Sequence, residues 1–255
     1  MHSKSLAILL FAFVIVIACS RQEVNLVKPE MYAYFGDIKS DVDAFRDLLG
    51  ANNINYLGSK PEGRREINWD VIPDSLALPN SCPGTYFNDR AYHQARGAEL
   101  STPGSRLMIC ADSDNPTGTA PFFVNFNAKY TDIFPTYSGE RMICPQASNV
   151  LDVRFFIPGT SIPAVVESVG AVFVDADLAE TSSIRLYDKE DNSLGTYYAP
   201  VMNKGQAFLG LRFETPMIHH VRITLGNTAL GPDDRFSKDI CVMDDFIFSE
   251  PQPLP

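Results

Sequence analysis

Three stretches of this chain place carboxylate, aromatic or guanidinium groups where they can do chemistry. Asp175-Ala176-Asp177-Leu178-Ala179-Glu180 sets three acids within six residues, just after an apolar run. Retaining glycan hydrolysis needs a nucleophile and an acid about 5 Å apart, so Asp175, Asp177 and Glu180 are the enzyme-like candidates. The plainer reading ends a buried strand at Asp175 and Asp177 and leaves Glu180 in the loop beyond. Near the C-terminus, Val242-Met243-Asp244-Asp245-Phe246-Ile247-Phe248 reads as a strand. Strict alternation puts Val242, Asp244, Phe246 and Phe248 on one face and Met243, Asp245 and Ile247 on the other. An aspartate among apolar neighbours is costly unless it is paired, hydrogen-bonded or bound to a metal. The third stretch, Glu62 to Asp70, holds the single tryptophan. Trp69 with Arg65 and Asp70 is the material of a ligand site, an aromatic face for a sugar ring and polar groups for its hydroxyls. The same residues equally make a loop stapled by an Arg–carboxylate pair and anchored by a buried Trp.

Other chemistries find little material. The histidines are His2, His93, His219 and His220, and no Gly-x-Ser-x-Gly elbow accompanies them. His219 and His220 adjoin in a predicted strand and point to opposite faces, a poor start for metal ligation. No glycine-rich loop follows a strand and opens a helix, so nucleotide binding is not expected. The chain has 21 Lys+Arg against 31 Asp+Glu, a net charge of −10, which argues against nucleic acid as a partner. Beyond Cys19 there are four cysteines, Cys82, Cys110, Cys144 and Cys241, with no Cys-x-x-Cys spacing. An even number in an exported chain makes them disulfide candidates, with three pairings open.

The elements that must position these groups are mostly strands. Ser40-Asp41-Val42-Asp43 opens a helix, with Ser40 as its expected cap and Val42, Phe45, Leu48 and Leu49 on one face. Gly50 is placed to end it. From 51 to 119 the chain is rich in Asn, Pro, Gly, Ser and Asp and reads as long loops with short strands, including Arg106 to Cys110. The second half is more regular. Phe122 to Phe126, Val150 to Ile157, Val165 to Val174, Ser183 to Tyr187, Leu194 to Tyr198, Phe208 to Phe213, His220 to Leu225 and Ile240 to Phe248 are β-branched and aromatic between turn residues. Asp191-Asn192 is the expected turn of a hairpin. The implied fold is all-β, a two-layer antiparallel jelly-roll-like sandwich with one short N-terminal helix.

The first residues carry an address. Lys4 precedes an apolar run from Leu6 to Ala18, too short for a comfortable membrane span, and Val16-Ile17-Ala18-Cys19-Ser20 closes it. This resembles the lipobox of bacterial lipoproteins, which implies cleavage before Cys19 and lipid on its thiol. The expected organisation is a signal peptide over 1–18, lipidated Cys19 and a tether over 19–33, one β-sandwich domain over 34–250, and a tail over 251–255. Removing the signal, with Lys4 and no acid, leaves 237 residues and a net charge of −11.

The Asp244-Asp245 end resembles extracellular jelly-roll modules such as carbohydrate-binding modules and MAM domains. There an Asp pair on the last strand meets an acid near the first, often around calcium. The resemblance implies Asp245 and Asp37 as calcium ligands, hard oxygens of the kind calcium requires. The spacing Asp175, Asp177, Glu180 is similar to that of a catalytic strand in one family of jelly-roll glycosidases, whose pattern begins with Glu rather than Asp. A longer match, from Gly63-Arg64-Arg65-Glu66 and Trp69-Asp70 through Gly170-Ala171-Val172-Phe173-Val174-Asp175-Ala176-Asp177, Ser193-Leu194-Gly195 and Phe208-Leu209-Gly210 to Val242-Met243-Asp244-Asp245-Phe246, resembles a broad group of secreted bacterial β-sandwich proteins with varied surface anchors. That group brings no established activity. The reading that follows is a lipid-anchored protein of the cell envelope, outside the cytoplasm at the outer membrane or cell surface. Its role is non-catalytic binding of a glycan or surface protein, with calcium stabilising the fold. The alternatives are an extracellular glycan hydrolase and a structural envelope protein.

Overall fold

The computed structural model describes residues 27–234 and 237–255; the signal segment 1–18, Cys19 and the first part of the tether lie outside the described residues. In chain order the elements are β1 (Glu30–Phe35), α1 (Lys39–Leu49), β2 (Arg64–Ile67), β3 (Ala98–Ser101), β4 (Arg106–Ile109), α2 (Tyr130–Ile133), β5 (Ile143–Gln146), β6 (Val150–Phe155), β7 (Ala164–Val165), β8 (Ser168–Ala176), β9 (Ser183–Tyr187), β10 (Ser193–Tyr198), β11 (Met202–Arg212), β12 (His220–Thr224), β13 (Val242–Ser249) and β14 (Gln252–Pro253). One sheet runs β1-β11-β8-β13-β5-β4, with β2 also on β13; the other runs β10-β9-β12-β6-β3. The strand pairings are antiparallel, and the expected all-β sandwich is observed.

Alternation places the core. Val169, Ala171 and Phe173 of β8, with Leu209 and Leu211 of β11, face Leu151 and Val153 of β6, Ile184 and Leu186 of β9, and Val221 and Ile223 of β12. The other face of the first sheet, with Val172, Val174 and Phe208, is covered by Val42, Phe45 and Leu49 of α1 and by Tyr130, Ile133 and Phe134. The first sheet is therefore buried on both sides, which is why β8 reads as a continuous apolar run. Gly170 and Gly210 lie opposite each other on β8 and β11. A Cβ on Gly210 would sit 2.9 Å from the rings of both Phe208 and Phe45, so the two glycines form the notch that seats α1.

Several local expectations change. Ser40 does not cap α1: Ile38 occupies that position without a side-chain hydrogen bond, and Leu48 is exposed. Phe122 to Phe126 is not a strand but a run of turns. Phe122 and Phe123 adopt left-handed φ of 53° and 60°, which lets Phe123 bury fully in the outer cluster. The tether ends earlier than residue 33, because Glu30 to Ala33 already pair with β11. The expected tail over 251–255 is partly packed on the fold: Pro251 is buried and β14 pairs with β7. The four expected disulfide cysteines are free and buried. Register sets Met108 against Cys144, so Cys110 and Cys144 lie diagonally across β4 and β5. Diagonal neighbours sit about 7–8 Å apart, beyond disulfide reach. Cys82 and Cys241 belong to the inter-sheet core instead.

Candidate metal centre

The Asp-Asp pair of β13 is shaped by a bulge. Pairing with β8 shifts register between Met243 and Phe246, and the extra residue reverses the alternation beyond it. Met243, Phe246 and Phe248 point into the inter-sheet core while Val242 and Ile247 point outward. Asp244 and Asp245 therefore both turn outward, contrary to strict alternation, under α1 and the loop at 137–138. Each oxygen has a polar neighbour there, the single Ser138 hydroxyl proton being shared between the two carboxyls. Asp244 accepts from the backbone N–H of Tyr137 at 2.7 Å and from Ser138 Oγ at 3.2 Å. Asp245 accepts from Ser138 Oγ at 2.7 Å and from Arg46 Nη2 at 2.8 Å. Burial, and then the adjacent Asp245 charge, pushes the Asp244 carboxyl up to about 8. This is a closed internal network, with Arg46 in the place that a cation would take. Asp37, the other expected calcium ligand, is exposed in the turn after β1.

Trp69, Arg65 and Asp70 do not form a ligand site. Trp69 is 1% exposed and donates its indole N–H to the Asp244 carbonyl at 2.5 Å. Its ring packs edge-on against Phe87, which leaves no face for a sugar. Arg65 is fully buried in a two-pronged pair with Glu250, at 2.7 and 2.6 Å, and binds the carbonyls of Ile54, Tyr56, Gly58 and Ala95. Asp70 is exposed and accepts from the backbone N–H groups of Glu140 and Arg141. All three hold loops to the first sheet.

The open acidic site lies at the end of β8. Asp175, Asp177 and Asp234 each present a carboxylate oxygen, all within 4.8 Å of one another. Glu180 is not among them; it stands exposed in the following turn, so the expected third acid is replaced by one from the loop between β12 and β13. Asp175 sits in left-handed conformation at φ 65°, a strained choice for a residue with a side chain and one that clusters at functional sites. Its Oδ1 accepts the backbone N–H of Lys204 at 2.5 Å, offered by the irregular stretch of β11 between Met202 and Gln206. Its Oδ2 is buried and meets no donor among the described residues, and the same holds for Asp177 Oδ1. Asp234 Oδ1 accepts from the Ile240 N–H at 3.2 Å.

Asp239, fully buried, fixes the turn behind the site by accepting from the N–H groups of Asp177 and Leu178 and from Thr181 Oγ1. Burial, followed by the neighbouring acids, drives the Asp175 carboxyl up to about 9, against the pull of the Lys204 N–H. Burial raises Asp177 and Asp234 as well. These groups line a cavity of 340 Å³ with Ile133, Leu178, Asn203 and Lys204. Hard carboxylate oxygens converging in this way, with no ion pair to them among the described residues, could hold a hard divalent cation. Asp234 follows Gly231-Pro232 in the loop between β12 and β13, and nothing local in the sequence ties it to Asp175.

No protein-family model and no curated protein matches this chain. Among solved structures it is similar to a family 29 carbohydrate-binding module, at 12% identity and a TM-score of 0.26 over 60% of this chain and 91% of that one. It is also similar to a two-domain protein of unknown function from Bacteroides fragilis, at 11% identity and a TM-score of 0.26 over 60% of this chain and 44% of that one. Neither likeness carries an argument about a ligand.

Proposed function

We propose that this chain is a lipid-anchored, exported, non-catalytic binding module, and that calcium held by Asp175, Asp177 and Asp234 stabilises it. The observation behind the reading is the convergence of three carboxylates, among them Asp175, whose buried Oδ2 meets no donor among the described residues. Calcium accepts such oxygen sets in flexible geometry, and binding it removes the repulsion that burial imposes. The lipobox-like Ala18-Cys19 supplies the anchor and the compartment, where calcium is plentiful. A hydrolase reading would draw on the same closeness of Asp175 and Asp177, but it loses Glu180 to solvent, and the described residues lining the cavity include no aromatic. The test is thermal unfolding of the full chain with calcium and with chelator. Calcium should raise the melting temperature and chelator lower it. An identical melt in both, or turnover of any polysaccharide that Asp175→Asn abolishes, refutes the reading.

A further inference from the structure

The start of β1 and the carboxylate cluster lie at opposite ends of the same sheet. Glu30 of β1 pairs with Arg212 of β11, and Arg212 in turn pairs with Ser168 at the start of β8. The site follows the other end of β8, where Ala176 pairs with Met202. The nine residues of β8 separate the two ends by about 27 Å. Lys28–Glu30 and the Asp175, Asp177 and Asp234 cluster therefore occupy opposite ends of the sheet.

The three carboxylates also leave a bound ion incompletely coordinated. They have six oxygens, of which Asp175 Oδ1 and Asp234 Oδ1 already accept backbone N–H bonds, leaving four. Calcium takes about 6–8 oxygens, so at least about two positions face the cavity. The charge there is balanced: three carboxylates offset a dication together with Lys204, which lines the same cavity. A further anionic ligand would unbalance it, and the chain's net charge of −10 repels polyanions. Neutral oxygen donors in adjacent pairs suit the remaining positions.

Resting on the calcium reading above, we infer that the ion is itself the recognition element. At the end of β8 it binds vicinal hydroxyls of a neutral glycan, which replace its waters in the cavity beside Asn203 and Lys204.

Europium(III) exchanged for calcium in the full-length lipidated chain, held in detergent micelles, reports its bound waters through luminescence lifetimes in H2O and D2O. About two or more waters are expected on the ion. At least one neutral polysaccharide from a panel of mannan, galactan, xylan and arabinan should remove about two of them, whereas polygalacturonate should not. Asp177→Asn should abolish both the ion signal and the glycan response. Ion binding with fewer than two waters, a water count unchanged by every neutral polysaccharide, or displacement by polygalacturonate alone overturns this inference and leaves the calcium reading standing. Calorimetry that detects no calcium or europium binding defeats the calcium reading itself, and this inference with it.

Discussion

Replacing Asp175 by asparagine separates a structural carboxylate from a cation ligand, because the two roles predict opposite signs. Without calcium, the folded state must hold Asp175 beside Asp177 and Asp234 in a buried pocket, and it does so by keeping a proton that the unfolded chain would release. Its carboxyl is raised from 3.8 to about 9. Stability on this account is complete below pH 4 and is lost as pH rises toward 9. At pH 7 the proton held against an ordinary value near 3.8 costs about 1.4 kcal/mol for each of roughly three units, a ceiling of about 4 kcal/mol. Sharing of protons among the three acids reduces this, so Asp175→Asn should gain on the order of 1–3 kcal/mol in chelator. For a domain of this size that is a rise of roughly 2–10 °C in Tm. With calcium present the sign reverses: the wild type gains the ion's binding free energy and the variant does not. The assay is unfolding followed by Trp69 fluorescence, since the single tryptophan is buried. A variant that melts below wild type in chelator, or that keeps the calcium-induced rise, refutes the reasoning.

Three further outcomes follow from groups elsewhere in the sandwich. Arg65→Met strands the buried Glu250 carboxylate and should lose about 3–5 kcal/mol in guanidinium unfolding; adding Glu250→Met should recover part of it, and a single-variant loss below about 1 kcal/mol counts against a structural pair. Burial works against ionised Asp152, yet His220 and the two-pronged Arg222 outweigh it and hold its carboxyl down at about 2. That stability is complete above pH 4 and lost as pH falls through about 2, so Asp152→Asn should flatten the acid limb by about 1–2 kcal/mol after screening at the half-exposed Arg222; an unchanged acid limb contradicts the pairing. Burial pushes the thiols of Cys82, Cys110 and Cys144 up to about 12, and Cys241 upward as well, so Ellman's reagent should leave all four unmodified in the native protein and react with them only on unfolding.

The fold was legible where one physical signal dominated. The apolar run of β8, the alternation of Val221, Ile223 and Arg222 on β12, and Gly50 closing α1 all read directly from the chain. Legibility failed where a residue serves the third layer. Phe122 and Phe123 have strand-like types, but they turn through left-handed conformations to fill the outer cluster. Trp69 failed for a related reason. An aromatic ring flanked by Arg and Asp has the same composition whether it faces solvent or a core, and only the partner of its indole N–H, the Asp244 carbonyl, decides between them.

The acidic groups show why spacing alone does not reveal which carboxylates converge. Both clusters depend on strand irregularities that leave no mark on composition: β13 carries one extra residue, which reverses the alternation beyond it, and β11 carries two between Met202 and Gln206. On β13 the insertion sends Asp244 and Asp245 to one side, where Ser138, Tyr137 and Arg46 meet all four oxygens. On β11 it presents the Lys204 N–H to a single oxygen of Asp175 and brings no arginine with it. The sequence offers the Asp-Asp pair as the more conspicuous metal motif, yet a guanidinium already neutralises that pair. At the end of β8 the third acid comes from a loop distant in the chain, and two buried oxygens have no donor among the described residues. On the calcium proposal, what separates a structural acid from a cation ligand is the counter-charge, and the counter-charge is supplied by tertiary neighbours.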